Sequence, residues 1–434
     1  MHRVAVVGSG ISGLSVAHRL GSHARVTLFE AGAYFGGHAH TVDMTLDGVT
    51  HGVDTGFLVF NERTYPKLLG LFNELGVETA RSEMSFSVQV PGLGNAPVEW
   101  SGDNLNTVFA QRRNLLRPGF WRMLRDIARF NRETTALALS GEEAGLDQTI
   151  GAFLALHAFS DEFRDWYFLP MIGCIWSCPV DQMLHFPVVT LIRFCHNHGL
   201  IQVANRPQWR TVRGGARTYV DKMAATIADA RLNAPVRRVW RVPGGAQVST
   251  DLGTEHFDEV VMACHSDQSL ALLGNPTPTE TAVLGAIRYQ NNRAVLHTDD
   301  SLLPKRRLAW AAWNYERATH RARERSAVCL HYLLNRLQPL PFSTPVVLTL
   351  NPITEPHADS VHGEFEYAHP VFDAAAIAAQ KRVEMLQGVG HTWFCGAWTR
   401  YGFHEDGLMS GLAVRDALRQ RLAAKRISAS PELV

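Results

Sequence analysis

The chain has 434 residues, 46% hydrophobic and 19% charged, more than one compact core needs, so two or three domains of a globular enzyme are expected. Lys and Arg total 42 against 41 Asp and Glu, a formal net charge of +1, so no global electrostatic argument for nucleic acid follows. No apolar run reaches the roughly 18 residues of a membrane-spanning helix, and an apolar strand beginning at Val4 leaves no room for a secretory leader, so a cytoplasmic location is expected.

Val4 to Val7 read as a buried strand running into Gly8-Ser9-Gly10-Ile11-Ser12-Gly13, then a helix, then a second strand through Val26, Leu28 and Phe29 to Glu30. Each part has its own physical reason. Gly8 permits a sharp turn off the strand, Gly10 lets the backbone approach a pyrophosphate, and Gly13 lets helix and strand pack closely. First-turn amides around Ile11 and Ser12 would face phosphates at the positive end of the helix dipole. Glu30, followed by Ala31, stands where a carboxylate accepts both hydroxyls of an adenosine ribose, and its charge disfavours a 2′-phosphate. Strand, loop, helix, strand and acid in this order point to a dinucleotide other than NADP.

Gly36-Gly37 completes a stretch that resembles the extended FAD fingerprint of the flavin-containing amine oxidase, phytoene desaturase and protoporphyrinogen oxidase superfamily. Many members carry Arg after the glycine pair, where this chain has His38. A histidine there donates to a phosphate or the ribityl chain, or is a polar loop residue without a ligand. The resemblance implies an α/β fold: a Rossmann-like FAD-binding domain of the GR2, amine oxidase type, interleaved with a mixed sheet-plus-helix substrate domain. Residues 1–69, 206–275 and 386–426 are assigned to the first, and 70–205 and 276–385 to the second.

Within the second FAD-domain piece, Arg213-Gly214-Gly215 precedes an expected helix from Tyr219 to Ala230 and a strand from Val236 to Trp240. The resemblance implies that the backbone at Val236 reads the adenine edge. Another buried strand with a helix after it is expected from Phe257 to His265. The third piece begins with a strand at Thr392 that delivers the chain to Gly396, and Glu405-Asp406-Gly407 opens a helix expected over Leu408 to Leu422. Acids at a helix start complement its dipole. By resemblance this helix start faces the N1–O2 edge of the flavin, which assigns Gly396, Glu405 and Leu408 to the cofactor.

The first insert reads as mostly helical, with Met171 to Trp176 buried. Strands are expected in the second insert over Arg293 to His297, Leu308 to Trp313, Val328 to Leu334 and Val346 to Leu350, giving a sheet floor beneath a helical cap. Aromatic residues crowd both inserts (Phe163, Trp166, Tyr167, Phe168, Trp176, Phe186, Phe194, Trp209, Trp310, Trp313) and offer either an apolar tunnel or an ordinary core. From Gln111 to Arg132 seven arginines alternate with apolar residues around one acid, Asp126. That segment suits either an anionic membrane interface, with the protein peripheral on the inner membrane face, or a solvated helix whose apolar side packs inward.

Trp310 to Tyr315, Asn335 to Gln338, Thr349 to Pro352, His369 to Phe372 and Gly402 to Gly407 are similar to a bacterial set of FAD-dependent amine-oxidase-like proteins. Genes of that set often neighbour cyclopropane-fatty-acid-synthase-like methyltransferases, and some relatives desaturate phospholipid acyl chains. The resemblance implies hydride removal from an apolar, acyl substrate to flavin N5, with reoxidation by quinone or oxygen. Two alternatives stay open: an oxidase of small amines or polyamines, and a non-catalytic flavin-binding partner of a lipid methyltransferase. Aligned with the strand that carries the flavin-side lysine of amine oxidases, His297 becomes the catalytic candidate, with a structural histidine as the other reading. The six cysteines, Cys174, Cys178, Cys195, Cys264, Cys329 and Cys395, form no C-x-x-C pair and show no paired metal spacing, so no metal and no disulfide is expected. No cysteine lies between Cys329 and Cys395, so the flavin is expected to be non-covalent.

Overall fold

A computed structural model describes residues 1–91, 97–140, 148–201, 206–318 and 327–428, without the side chains of 180, 181 and 425–428. Its organising element is a five-stranded parallel sheet in the order Asp229–Arg231, Arg25–Phe29, Arg3–Val7, Glu259–Met262, Thr392–Phe394. Strands from three distant stretches of chain thus lie side by side. The inner strands are apolar because both faces are covered, which is why Arg3–Val7 and Arg25–Phe29 are buried along nearly their whole length.

Helix Ile11–Leu20 packs between this sheet and the terminal helix His404–Ser428. Both contacts need glycine. A Cβ on Gly13 would lie 1.9 Å from the Gly8 carbonyl oxygen, and one on Gly411 would lie 2.4 Å from the Ser12 oxygen and 2.2 Å from Ser15 Oγ. Glu259 joins the late pieces: its buried carboxylate accepts Trp393 Nε1 at 2.9 Å and lies 2.9 Å from Arg421 Nε and 3.2 Å from His391 Nδ1.

A second sheet has seven strands in the order Val361–Val371, Arg288–His297, Val347–Leu350, Cys329–Leu333, Trp313–Glu316, Phe86–Val90, Val98–Ser101. All neighbours are antiparallel except Trp313–Glu316 with Phe86–Val90. Two of these strands come from the first insert, so that insert is not purely helical. Its helices, among them Pro118–Ser140, Leu169–Trp176 and Val188–Asn197, enclose a separate apolar cluster around Phe130, Phe153, Phe163 and Phe168.

Three expected elements are corrected and one unexpected strand is added. The helix from Tyr219 runs instead over Arg217–Ala224, and its expected tail forms edge strand Asp229–Arg231, held by parallel pairing with Thr27 to Phe29 and by the Thr27 hydroxyl donating to Asp229 at 2.9 Å. Leu308 to Trp313 is not a strand: Arg307–Ala309 make a 3-10 turn, Trp310 donates to the Pro304 carbonyl, and pairing starts at Trp313. The terminal helix starts four residues earlier than expected, at His404, because Asp406 accepts the Phe403 amide at 3.0 Å. Strand Val361–Val371 is absent from the sequence reading because an edge strand with one solvated side carries few apolar residues.

Replacing Glu259 by Ala strips three polar partners of their buried acceptor. It is expected to lower unfolding free energy by about 3 kcal/mol, read as a depressed melting temperature by calorimetry. Glu255→Ala, at a partly exposed pair, serves as the control and should change it little.

Candidate active site

The two sheets and the helical layer enclose a cavity of about 850 Å³. At one end the Gly8–Ser12 loop forms its wall. Gly8 has φ +102°, its amide donates to the Phe29 carbonyl, and the Ser9 amide donates to Glu30 Oε2 at 2.9 Å. Glu30 Oε1 accepts the Gly32 amide at 2.8 Å, so the carboxylate is fixed between two turns. Gly36 and Gly37, both at positive φ, bring the second turn against the first: the Gly36 amide donates to the Ser9 carbonyl, and a Cβ on Gly37 would stand 3.3 Å from Gly10 Cα. Gly10 itself meets nothing within 4 Å in its Cβ direction, so open space lies where its side chain would be.

Ala31, His38, Val236 and Gly396 also line the cavity. Gly13 does not; it acts one layer back, by letting the helix sit against Gly8. Glu405 is turned away from this cavity, and its carboxylate accepts the Lys67 and Leu68 amides at 2.8 and 2.9 Å, capping helix Pro66–Leu75. Burial pushes its pKa up. Leu408 is buried in the core rather than at the cavity wall. Both assignments therefore change from cofactor contact to support of the helix start.

His297 is also absent from the wall. It is fully buried on the outer side of the seven-stranded sheet, where Nδ1 takes the Asp299 amide at 3.2 Å and Nε2 lies 2.7 Å from Thr349 Oγ1. Strand alternation explains this: Leu348 and Leu350 face the cavity, so Thr349 and the side chains paired with it face away.

Four other histidines stand at the wall: His38, His265, His369 and His404. His38 Nε2 is buried with no hydrogen-bond partner, and its ring lies 5.1 Å from Tyr367 and 5.4 Å from His369. His404 stacks on Phe57 at 3.9 Å and pairs with the Tyr219 hydroxyl at 2.6 Å. Burial depresses all four, with His38 and His265 lowered to about 4 and His369 and His404 to about 3. They are neutral at physiological pH. Sequence reasoning placed His369 and His404 inside quoted motifs without giving either a role, because nothing local marks a histidine as facing a distant loop.

At the far end the wall is apolar: Met171, Ile175, Phe194, Leu200, Leu348 and Leu350 are examples. Of the ten aromatic residues proposed for a tunnel, Phe194, Trp209 and Trp313 reach it. Phe163, Phe168, Trp176 and Phe186 are core side chains instead, packed on one another. Among the described residues that line the cavity, Glu30 and Arg237 alone carry a formal charge, and both belong to the dinucleotide end.

A model of the family described as flavin containing amine oxidoreductase matches residues 11–298. The chain belongs to that family. It is an FAD-dependent oxidoreductase of the amine oxidase type, and FAD is its cofactor. The open space at Gly10, the orphaned His38 Nε2 and the cavity's length from Val236 to Gly402 fit a group with a pyrophosphate and a polar ring system. Solved structures with this fold include a double mutant of putrescine oxidase, 16% identical, covering 98% of this chain and 99% of its own, with a TM-score of 0.67. A putative protoporphyrinogen oxidase from Exiguobacterium sp. 255-15 is also 16% identical, with coverages of 97% and 99% and a TM-score of 0.67. A fatty acid isomerase from P. acnes that produces CLA is 13% identical over 96% and 98%, with a TM-score of 0.62. No curated protein matches the sequence.

In this flavin amine oxidoreductase, Gly13→Ala forces a methyl group into the Gly8 carbonyl and should abolish stable flavin retention. Gly21→Ala, with open space around it, should leave the flavin-to-protein absorbance ratio unchanged. The histidines set an acid limit. The unfolded chain protonates them near pH 6.5 while the folded state keeps them neutral to about 4, so stability is full above about 6.5 and falls as pH drops towards 4. Melting temperatures across that window should show the decline, and His369→Gln with His404→Gln should flatten it.

Proposed function

We propose that the enzyme removes hydride from an apolar, fatty-acyl or phospholipid substrate. The observation that supports this reading is the lack of any charged side chain at the far end of the cavity among its described lining residues. An ammonium bound there would be desolvated without a counter-charge, a cost that an aliphatic chain avoids. Apolar walls contribute instead through buried surface, at roughly 25 cal/mol per Å². FAD, when bound, supplies the hydride acceptor, and quinone or oxygen then takes the electrons. The protein's part is to hold, orient and keep water out.

Cofactor retention is assigned to the Gly8–Gly13 loop at the pyrophosphate, Glu30 and Ala31 at the ribose, Gly36, Gly37 and His38 beside them, Val236 at adenine, and Gly396 near the ring. Neutral His38, with no competing partner for Nε2, is suited to a single hydrogen bond rather than an ion pair. The neutral cluster also leaves the substrate end without a cation that would bind a free acid's carboxylate.

Delivery from a membrane surface fits one corner of the helical layer. Leu115 and Leu116, in the 3-10 turn Arg112–Leu116, and Trp121, on helix Pro118–Ser140, are exposed, Leu116 to 87%, beside Arg113, Arg122 and Arg125, while Phe120, Met123 and Phe130 of that helix point inward. The exposed apolar side chains support the membrane reading of the arginine-rich segment, and the inward ones account for its packing on the core. No helix among the described residues is long and apolar enough to cross a membrane.

Two measurements test the proposal. Under anaerobic conditions, vesicles of bacterial phospholipid should bleach the flavin absorbance while putrescine and cyclohexylamine do not; bleaching by amines alone would overturn it, and bleaching by neither would favour the non-catalytic partner of a lipid methyltransferase. Separately, Leu116→Glu with Trp121→Ser should release the protein from anionic vesicles in a sedimentation assay, and undiminished binding would remove the interfacial role.

A further inference from the structure

Behind the cavity, on the outer face of the seven-stranded sheet, Glu316, Cys329 and His331 bring three different donor atoms together. Glu316 and Cys329 are directly opposed in register on neighbouring antiparallel strands, and His331 lies two residues on from Cys329, hence on the same face. Their separations are 3.1 Å between His331 Nε2 and Glu316 Oε2, 3.7 Å between Cys329 Sγ and His331 Nε2, and 3.8 Å between Cys329 Sγ and Glu316 Oε2.

A triangle of that size is what tetrahedral zinc requires. Bonds of roughly 2.3 Å to sulfur, 2.05 Å to nitrogen and 2.1 Å to oxygen, at tetrahedral angles, give edges of about 3.6 Å for both sulfur pairs and about 3.4 Å for nitrogen to oxygen. Each observed separation lies within a few tenths of an ångström of its edge, so closure around an ion needs only small side-chain rotations. An ordinary Glu–His ion pair would account for the first distance. A thiol hydrogen bond would account for one sulfur contact at a time, whereas an ion at the centre accounts for all three distances together.

The histidine is also held from behind. His331 Nδ1 lies 2.8 Å from Thr349 Oγ1, which lies 2.7 Å from His297 Nε2, and His297 Nδ1 is occupied by the Asp299 amide. The Asp299 N–H fixes the proton of His297 on Nε2, aimed at Thr349. The threonine oxygen has a second lone pair for an N–H from His331 Nδ1, so that Nε2 can exchange its Glu316 hydrogen bond for a metal bond. Cys329 and His331 are buried, whereas the Glu316 side chain is 23% exposed, which provides a route from solvent and a fourth position for water.

We propose that Glu316, Cys329 and His331 form a zinc site that pins strands Trp313–Glu316 and Cys329–Leu333 together. On binding, the Cys329 thiol gives its proton to solvent, and the His331 ring takes the tautomer protonated at Nδ1. Thr349 and His297 act as positioning residues. Trp313 and Tyr332, on the opposite face of these same two strands, line the cavity, so the ion would stiffen a wall of the active site without touching substrate.

The test uses the flavin-loaded, full-length protein, stripped with a chelator and then titrated with zinc or cobalt. Atomic emission should find one zinc per chain, and the cobalt form should show thiolate-to-metal charge-transfer absorption. Cys329→Ser should lose that absorption, and Thr349→Val should weaken zinc binding about tenfold, with flavin content unchanged in both. Wild-type protein that takes up no stoichiometric zinc, or a cobalt spectrum without the thiolate band, overturns the proposal whether or not the variants fold. Persistence of the band in Cys329→Ser overturns it as well.

Discussion

The closeness of the first helix to its two neighbours is the constraint on which the remaining geometry depends. Gly13 sets it against the Gly8 turn, while Gly411, together with Gly407 beside Ile11, sets the terminal helix against its other side. A side chain at Gly13 or Gly411 would collide with neighbouring backbone, and one at Gly407 with the Ile11 and Ser12 side chains. The start of the first helix and the start of the last helix then converge on one cavity, so the phosphate end and the ring end of the cofactor site are positioned by the same packing. Specificity for a dinucleotide and competence for redox chemistry thus share one mechanical origin.

Charge is distributed along the cavity in zones. The dinucleotide end has Glu30 fixed by two amides, the middle has neutral imidazoles, and the far end has aliphatic and aromatic walls. Burial enforces the middle zone, since desolvation keeps the rings uncharged at ordinary pH. Few lysines or acids could be placed there without a partner, and the partners are absent from the lining.

What could be read from sequence tracks how local its cause is. The Gly8–Gly13 loop, Glu30 and Gly36-Gly37 are legible because their partners, such as Ser9 with Glu30 and Gly36, all fall within one short stretch of chain that forms a single strand–helix–strand unit. Interleaving was legible too, because a buried parallel strand such as Glu259–Met262 carries a continuous apolar run, Val260 to Met262, after its opening acid. Glu405 was misread since an acid at a helix start has two local uses, its own dipole or a neighbouring helix, and only packing decides between them. His297 was misplaced because alternation tells which residues share a face but not which face looks inward. The Glu316, Cys329 and His331 grouping was invisible for a related reason: ligands drawn from two paired strands leave no short spacing in the chain.

The order of strands in the parallel sheet has a consequence for biosynthesis. Arg3–Val7 is made before its partners in this sheet and lies at the centre, but its neighbour Glu259–Met262 is about 250 residues downstream, and Thr392–Phe394 completes the edge later still. During synthesis the nucleotide loop must therefore wait, beside only one of its final strands, until most of the polypeptide has emerged. Glu259 cannot meet Trp393 and Arg421 before the terminal helix exists. Long-range pairing of this kind is slow and leaves strand edges exposed in the interim. Gly396 to Trp398 and Gly402 to His404 wall the cavity, so a fragment that ends before Thr392, however intact its glycine motif, holds no finished cofactor pocket.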